Sequence, residues 1–140
     1  MAPRLRGYLI CLCLLPLAVP AQWRFEMLGA SSVPLSNPHD VKLSADGRLL
    51  YVSDVGNDRI AILDPDTLDL VGQFGADTLD GVHDIDVTAD GRAYVADTHN
   101  GRVAVFALRD GRANFSGELN ERLSGPEGVL VHPNGLLYVA

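Results

Sequence analysis

The chain has 140 residues, 18 acidic and 11 basic, for a net charge of −7; such a surface repels a phosphate backbone and excludes nucleic acid as a partner. It is 47% hydrophobic and 21% charged, with 14 glycines, 8 prolines and no low-complexity stretch, which excludes a disordered chain and points to a packed, turn-rich one. Both cysteines, Cys11 and Cys13, lie inside an amino-terminal apolar segment expected to be removed, leaving the mature chain no thiol and no disulfide.

In chain order, residues 1–21 read as a secretory signal. Arg4 and Arg6 supply the positive start, Tyr8 to Val19 an apolar run broken by Pro16, and Val19-Pro20-Ala21 a small-residue cleavage point. Twelve apolar residues fall short of the ~20 that span a bilayer, so no stable membrane span is expected. Leu9-Ile10 before Cys11 does not fit a lipoprotein signal. A cleaved signal implies a secreted or periplasmic protein, and without Arg4 and Arg6 the remainder carries a net charge of −9. Arg24 to Leu28 then resembles the last strand of a sheet, with Trp23 packing beside it.

Residues 38–81, 82–125 and 126–140 form three repeating units, the third cut short. His39-Asp40-Val41 returns as His83-Asp84-Ile85 44 residues later, and Glu127-Gly128-Val129 stands 44 further on. Asp46-Gly47, Asp90-Gly91 and Asn134-Gly135 recur in step, as do Tyr51-Val52, Tyr94-Val95 and Tyr138-Val139. Asp54-x-x-Asn57-x-Arg59-Ile60 is repeated as Asp97-x-x-Asn100-x-Arg102-Val103. Within a unit, Val41 and Leu43, or Ile85 and Val87, alternate with polar residues as a half-buried strand requires. The Asp-Gly and Asn-Gly pairs predict two-residue hairpin turns with positive φ. The Tyr-Val pairs suit a second strand, Ile60 to Leu63 and Val103 to Phe106 a third, and Leu70 to Phe74 and Ala113 to Leu119 a fourth.

A period of ~40–45 residues made of strands, with no 3.6-residue pattern, predicts an all-β fold: a β-propeller of four-stranded antiparallel blades. A small sandwich of the same hairpins is the alternative, and the regularity of the repeat argues against it. Propellers use about 4–8 blades. About two and a half blades are present, so the sequence reads as an incomplete fragment of a longer chain, residues 22–140 being its partial propeller.

At these residues the chain resembles the NHL-repeat family of β-propellers. Its units read Pro-x-Gly-Val, Asp-Gly and Tyr-Val-x-Asp-x-x-Asn-x-Arg-Ile. Gly125-Pro126-Glu127-Gly128-Val129 matches the start, and Asp90-Gly91, Tyr94-Val95-Ala96-Asp97 and Asn100-Gly101-Arg102-Val103 match the remainder. The first unit, with Tyr51-Val52-Ser53-Asp54, is also similar to the YVTN group of extracytoplasmic propellers. These resemblances imply the fold and leave function open, since such propellers host binding modules and enzymes alike. A narrower resemblance links Pro38-His39-Asp40-Val41 and Val82-His83-Asp84-Ile85 to the peptidyl-α-hydroxyglycine amidating lyases. It implies zinc on His39 and His83. Glu127 stands where the next histidine would be, and the tyrosine and arginine those lyases use have no counterpart placed here.

In an up-and-down blade the Asp-Gly turns fall on one rim. The starts of the first strands fall on the other, nearest the axis, bringing His39, Asp40, His83, Asp84 and Glu127 to one mouth, where a ligand site is expected. Neutral imidazoles at His39 and His83 are candidate zinc ligands, and Asp40 and Asp84 are weaker calcium candidates. The plainer readings are backbone hydrogen bonds for all four. Asp54 and Asp97 are expected to cap loop N–H groups, with Asn57 and Asn100 at positive φ, and Arg59 and Arg102 to pair with nearby acids. His99 is expected in solvent and His132 at the far rim. No Gly-rich phosphate loop, Ser elbow or Cys metal spacing is present. The leading expectation is a scaffold binding a protein or small-molecule ligand at the histidine rim. The alternative is a metal-dependent lyase or hydrolase there.

Overall fold

A computed structural model describes residues 26, 27 and 29–140. The signal segment 1–21 with its cysteines, Trp23 and most of the 24–28 strand lie outside the described residues; Glu26 and Met27 carry no strand.

The first blade contains β1 (Pro38–Leu43), β2 (Leu50–Asp54), β3 (Arg59–Leu63) and β4 (Leu70–Phe74), paired in that order. The second contains β5 (Val82–Val87), β6 (Arg92–Asp97), β7 (Arg102–Arg109) and β8 (Arg112–Leu119), and β9 (Val129–Val131) with β10 (Leu137–Val139) makes the two-stranded start of a third. Every pairing is antiparallel. The protein is thus all-β, with propeller blades as the repeat predicts, in an incomplete ring.

Because strand side chains alternate, each blade buries both faces. Tyr51, Ile60 and Phe74 of the first blade pack against Val82, Ile85, Ala93, Val95 and Phe106 of the second, with the Phe74 and Phe106 rings 4.9 Å apart. Ala96 and Val103 pack on Val129, Leu137 and Val139 at the next junction. Val33 and Leu35 cover the opposite face of the first blade at Val52, Ala61 and Leu63.

A further period-44 position now appears: Leu35, Leu79 and Leu123 each plug one of these cores ahead of a first strand. Asn37, Gly81 and Gly125, two residues after each leucine, all take positive φ.

The hairpin loops differ from the expected two-residue turns. Thr88 N–H donates to the Arg92 carbonyl (2.9 Å) and Gly91 N–H to the Thr88 carbonyl (3.1 Å). That is a three-residue loop: a type I turn closed by a glycine at positive φ. Only the glycines, Gly47 (72°), Gly91 (82°) and Gly135 (87°), are left-handed there. The preceding aspartates act through their side chains instead, Asp46 accepting from Ser44 Oγ at 2.7 Å and Asp90 from Thr88 Oγ1.

Candidate functional site

Both β1 and β5 are irregular where they begin, with register shifts between Pro38 and Val41 and between Val82 and Asp84. A bulge re-aims side chains and interrupts pairing, and here it falls on the two histidines. The blade-to-blade packing then stacks them: the His39 and His83 rings are 4.3 Å apart and 12° from parallel. Glu127, the matching residue of the third unit, places Oε1 3.8 Å from His83 Nδ1. Three positions 44 residues apart therefore meet at one mouth. Neither imidazole makes a hydrogen bond to backbone among the described residues, so the plainer reading of these two side chains is not realised.

Two carboxylates further along β5, Asp84 and Asp86, are committed. Asp84 accepts from its own strand at Ile85 N (2.7 Å) and from the next blade at Val129 N (2.7 Å). Its pKa is raised to about 6, first because burial penalises the charge and then because Asp40 hydrogen-bonds to it and repels it, while the two N–H bonds pull the other way. Asp86, buried, accepts from Val87 N (2.8 Å) and Val131 N (2.6 Å) and pairs with Lys42 (2.7 Å). Asp84 and Asp86 thus satisfy N–H groups of β9 on the edge turned away from β10, where an unmade bond would be costly.

As a metal centre the four candidates do not fit as arranged. A metal lies in the plane of an imidazole along its lone pair, so two near-parallel stacked rings do not aim at a common point about 2 Å from each nitrogen. Both oxygens of Asp84 are already accepting backbone N–H groups. Among the described residues no group of three or more His, Cys, Asp or Glu side chains is placed to hold an ion.

Farther from the axis, Asp54 and Asp97 are fully buried. Asp97 accepts from Asp80 N (2.7 Å), Asn100 Nδ2 (3.1 and 3.0 Å) and Arg102 Nε (2.6 Å). Arg102 continues to Glu118 and the Thr78 carbonyl. Asp54 repeats this with Ser36 N (2.6 Å), Asn57 Nδ2 (2.7 Å) and Arg59 Nε (2.8 Å). These clusters clamp the chain arriving at each first strand, which makes both arginines structural, as expected.

The asparagines do not take positive φ. The residues after them, Asp58 (49°) and Gly101 (64°), do, leaving each amide free to donate to the buried carboxylate. Ser53 is buried with its hydroxyl unpartnered among the described residues; Ala96 is its counterpart, since Ser53 pairs with Ile60 as Ala96 pairs with Val103. His99 is exposed and Nδ1 lies 2.8 Å from Asp80 Oδ1. His132 sits at the opposite rim, where Nδ1 accepts from Asn134 N (3.2 Å).

The family model described as NHL repeat matches residues 79–106, a span running from Leu79 through β5 and β6 into β7. No curated protein matches the chain. Among solved structures it is similar to a putative 6-phosphogluconolactonase from Bacteroides fragilis, at 24% identity and a TM-score of 0.66, covering 77% of this chain and 33% of that one. It is also similar to the hydrazine synthase of Kuenenia stuttgartiensis, at 21% identity and a TM-score of 0.65, covering 84% and 32%. The periplasmic gluconolactonase of Pseudomonas aeruginosa matches at 20% identity and a TM-score of 0.64, covering 77% and 33%. The chain spans about a third of the length of each, and these likenesses show the fold. Among the described residues no helix is long and apolar enough to cross a membrane.

Proposed function

We propose that this NHL-repeat β-propeller chain is an exported binding scaffold, secreted or periplasmic, whose ligand meets the mouth formed by His39, His83 and Glu127. The observation that carries the reading is that convergence. The clamping of the blades is done by other side chains, namely Asp54, Asp97, Asp84 and Asp86, so the stacked imidazoles serve no hydrogen bond the fold requires. With Asp40, Asp84 and Glu127 around them in an acidic chain, the mouth favours a donor-bearing, cationic group on a protein or small molecule.

The competing reading is a metal-dependent lyase or hydrolase at the same mouth, of zinc or calcium type. Two similar structures are named as lactonases, which makes a sugar lactone the substrate to try. The stacked rings favour binding over this reading.

The test follows the imidazole NMR signals of His39 and His83 as the full chain is titrated with putrescine, zinc chloride and calcium chloride, with glucono-lactone hydrolysis assayed alongside. Putrescine should shift both signals, and the shift should be lost in His83→Ala and Glu127→Gln. Zinc binding that needs both histidines, or lactone hydrolysis abolished by His39→Ala, would replace the scaffold reading with the catalytic one. Export is checked separately, by fractionating cells that make the chain with and without residues 1–21.

A further inference from the structure

At the other end of the stacked strands, between the Thr88–Arg92 and His132–Leu136 hairpins, lies a cleft of about 610 Å³ whose polar lining includes Lys42, Asp86, Asp90, Arg92, Tyr94 and His132. Its volume falls in the usual range of small-molecule sites, about 300–1,000 Å³. The matching cleft between the first two blades is only about 240 Å³.

The repeat itself shows what is unusual. Leu49, Arg92 and Leu136 are equivalent, since each gives its carbonyl to the N–H of Ser44, Thr88 or His132 (2.8, 2.9 and 2.8 Å). Two units place leucine there and one places arginine; Arg48, which follows Gly47 as Arg92 follows Gly91, is the extra residue of a longer first loop. Ser44 and Thr88 support their turns through hydroxyls, whereas the third unit carries a histidine. His132 Nδ1 takes over the turn-supporting role of those hydroxyls by accepting from Asn134 N, so the guanidinium of Arg92 and the second ring nitrogen of His132 are what these two residues add.

Each addition offers unused donors. The Arg92 guanidinium is well exposed, hydrogen-bonds to Tyr94 and has Asp90 at 3.6 Å, too long for a hydrogen bond, which leaves most of its five N–H donors unused. The Nδ1 of His132 accepts from Asn134 N, which leaves the ring proton on Nε2 as a donor. Lys42 uses one of its three N–H bonds on Asp86. Asp86 in turn is satisfied by that ammonium and two backbone N–H groups, so it repels an anion little.

We propose that this cleft is a second binding site, for a small carboxylate bearing several hydroxyls. The planar Arg92 fork takes the carboxylate in two parallel bonds, and Lys42, Tyr94 and His132 Nε2 meet the hydroxyls. The two mouths then differ in chemistry: imidazoles and carboxylates without a cation at one, and the cations Lys42 and Arg92 beside the carboxylates at the other.

The experiment is calorimetric titration of the full chain with sodium gluconate as the probe. Arg92→Leu installs the residue that two sister units already use, so folding is expected to survive, and thermal melting checks it. Binding should weaken roughly tenfold or more, the loss expected for a charge-assisted bidentate contact. His132→Thr, again a repeat-like replacement, should weaken it less, and His39→Ala should leave it unchanged. No binding at millimolar gluconate, equal affinity in Arg92→Leu, or a loss in His39→Ala would each overturn the proposal.

Discussion

Replacing Gly91 by alanine probes the second hairpin more sharply than any other single change, because Gly47 provides a matched control. Both glycines take positive φ, 82° and 72°, at the end of a type I turn, the Gly47 loop being one residue longer, closed from Ser44 to Leu49. An alanine in that conformation costs about 1–2 kcal/mol in the folded state, offset by about 0.4–1 kcal/mol of entropy removed from the unfolded chain. At Gly47 nothing lies within 4 Å of an added Cβ, so Gly47→Ala should cost about 1 kcal/mol or less. At Gly91 the added Cβ would stand 2.8 Å from the Leu108 carbonyl oxygen. That oxygen cannot retreat freely, since Leu108 N–H donates to the Gly91 carbonyl at 2.8 Å. Overpacking of this kind adds about 1–3 kcal/mol, which brings Gly91→Ala to about 2–4 kcal/mol. Urea unfolding followed by far-ultraviolet circular dichroism measures both variants. Equal midpoint shifts would refute the close approach of the hairpin to β7.

Other expectations follow from the buried groups. Asp97→Ala strands the Asp80 N–H and the Asn100 amide and removes one of the three hydrogen-bond partners of Arg102, and should cost about 3 kcal/mol; a loss under about 1 kcal/mol in urea would show the cluster to be a surface pair. Leu79→Ala opens the core between the first two blades and should cost about 2–5 kcal/mol by the same measurement. Ser53→Ala removes an unpartnered buried hydroxyl and installs the residue of the second unit, so it should be neutral or stabilise by about 1 kcal/mol; clear destabilisation in thermal melting would reveal a hidden partner. Asp84 is raised from 3.8 to about 6, so the folded state holds its proton more tightly than the unfolded chain does. Its contribution is full below the lower value and is lost as pH rises through the higher one. The melting temperature of the wild type relative to Asp84→Asn should therefore fall across that window, and a flat or rising difference contradicts the assignment.

The blades were legible before any coordinates because their causes are local. Alternation at Val41 and Leu43 or Ile85 and Val87 selects strands, and a repeat of 44 residues can be found by laying the chain on itself. The same inspection could have found Leu35, Leu79 and Leu123, and the positive-φ position at 37, 81 and 125, since both keep that period. They were passed over because a lone leucine in a loop has no local signature. The turns were placed correctly but their geometry was not: Asp-Gly serves a two-residue turn and a three-residue one equally, and only the closing bond from Thr88 to Arg92 distinguishes them.

At the site, residue types and rim followed from strand direction alone. Chain order puts His39, His83 and Glu127 at the starts of first strands, and alternation turns Asp84 and Asp86 to the same face. The tertiary structure decided the remainder, because each contact crosses between blades. Radial packing stacks two imidazoles from different units, sends the second oxygens of Asp84 and Asp86 to the N–H groups of β9, and places Lys42 on Asp86. No periodicity within one unit specifies how far its neighbour lies, and it is that spacing which turns repeated side chains into a mouth.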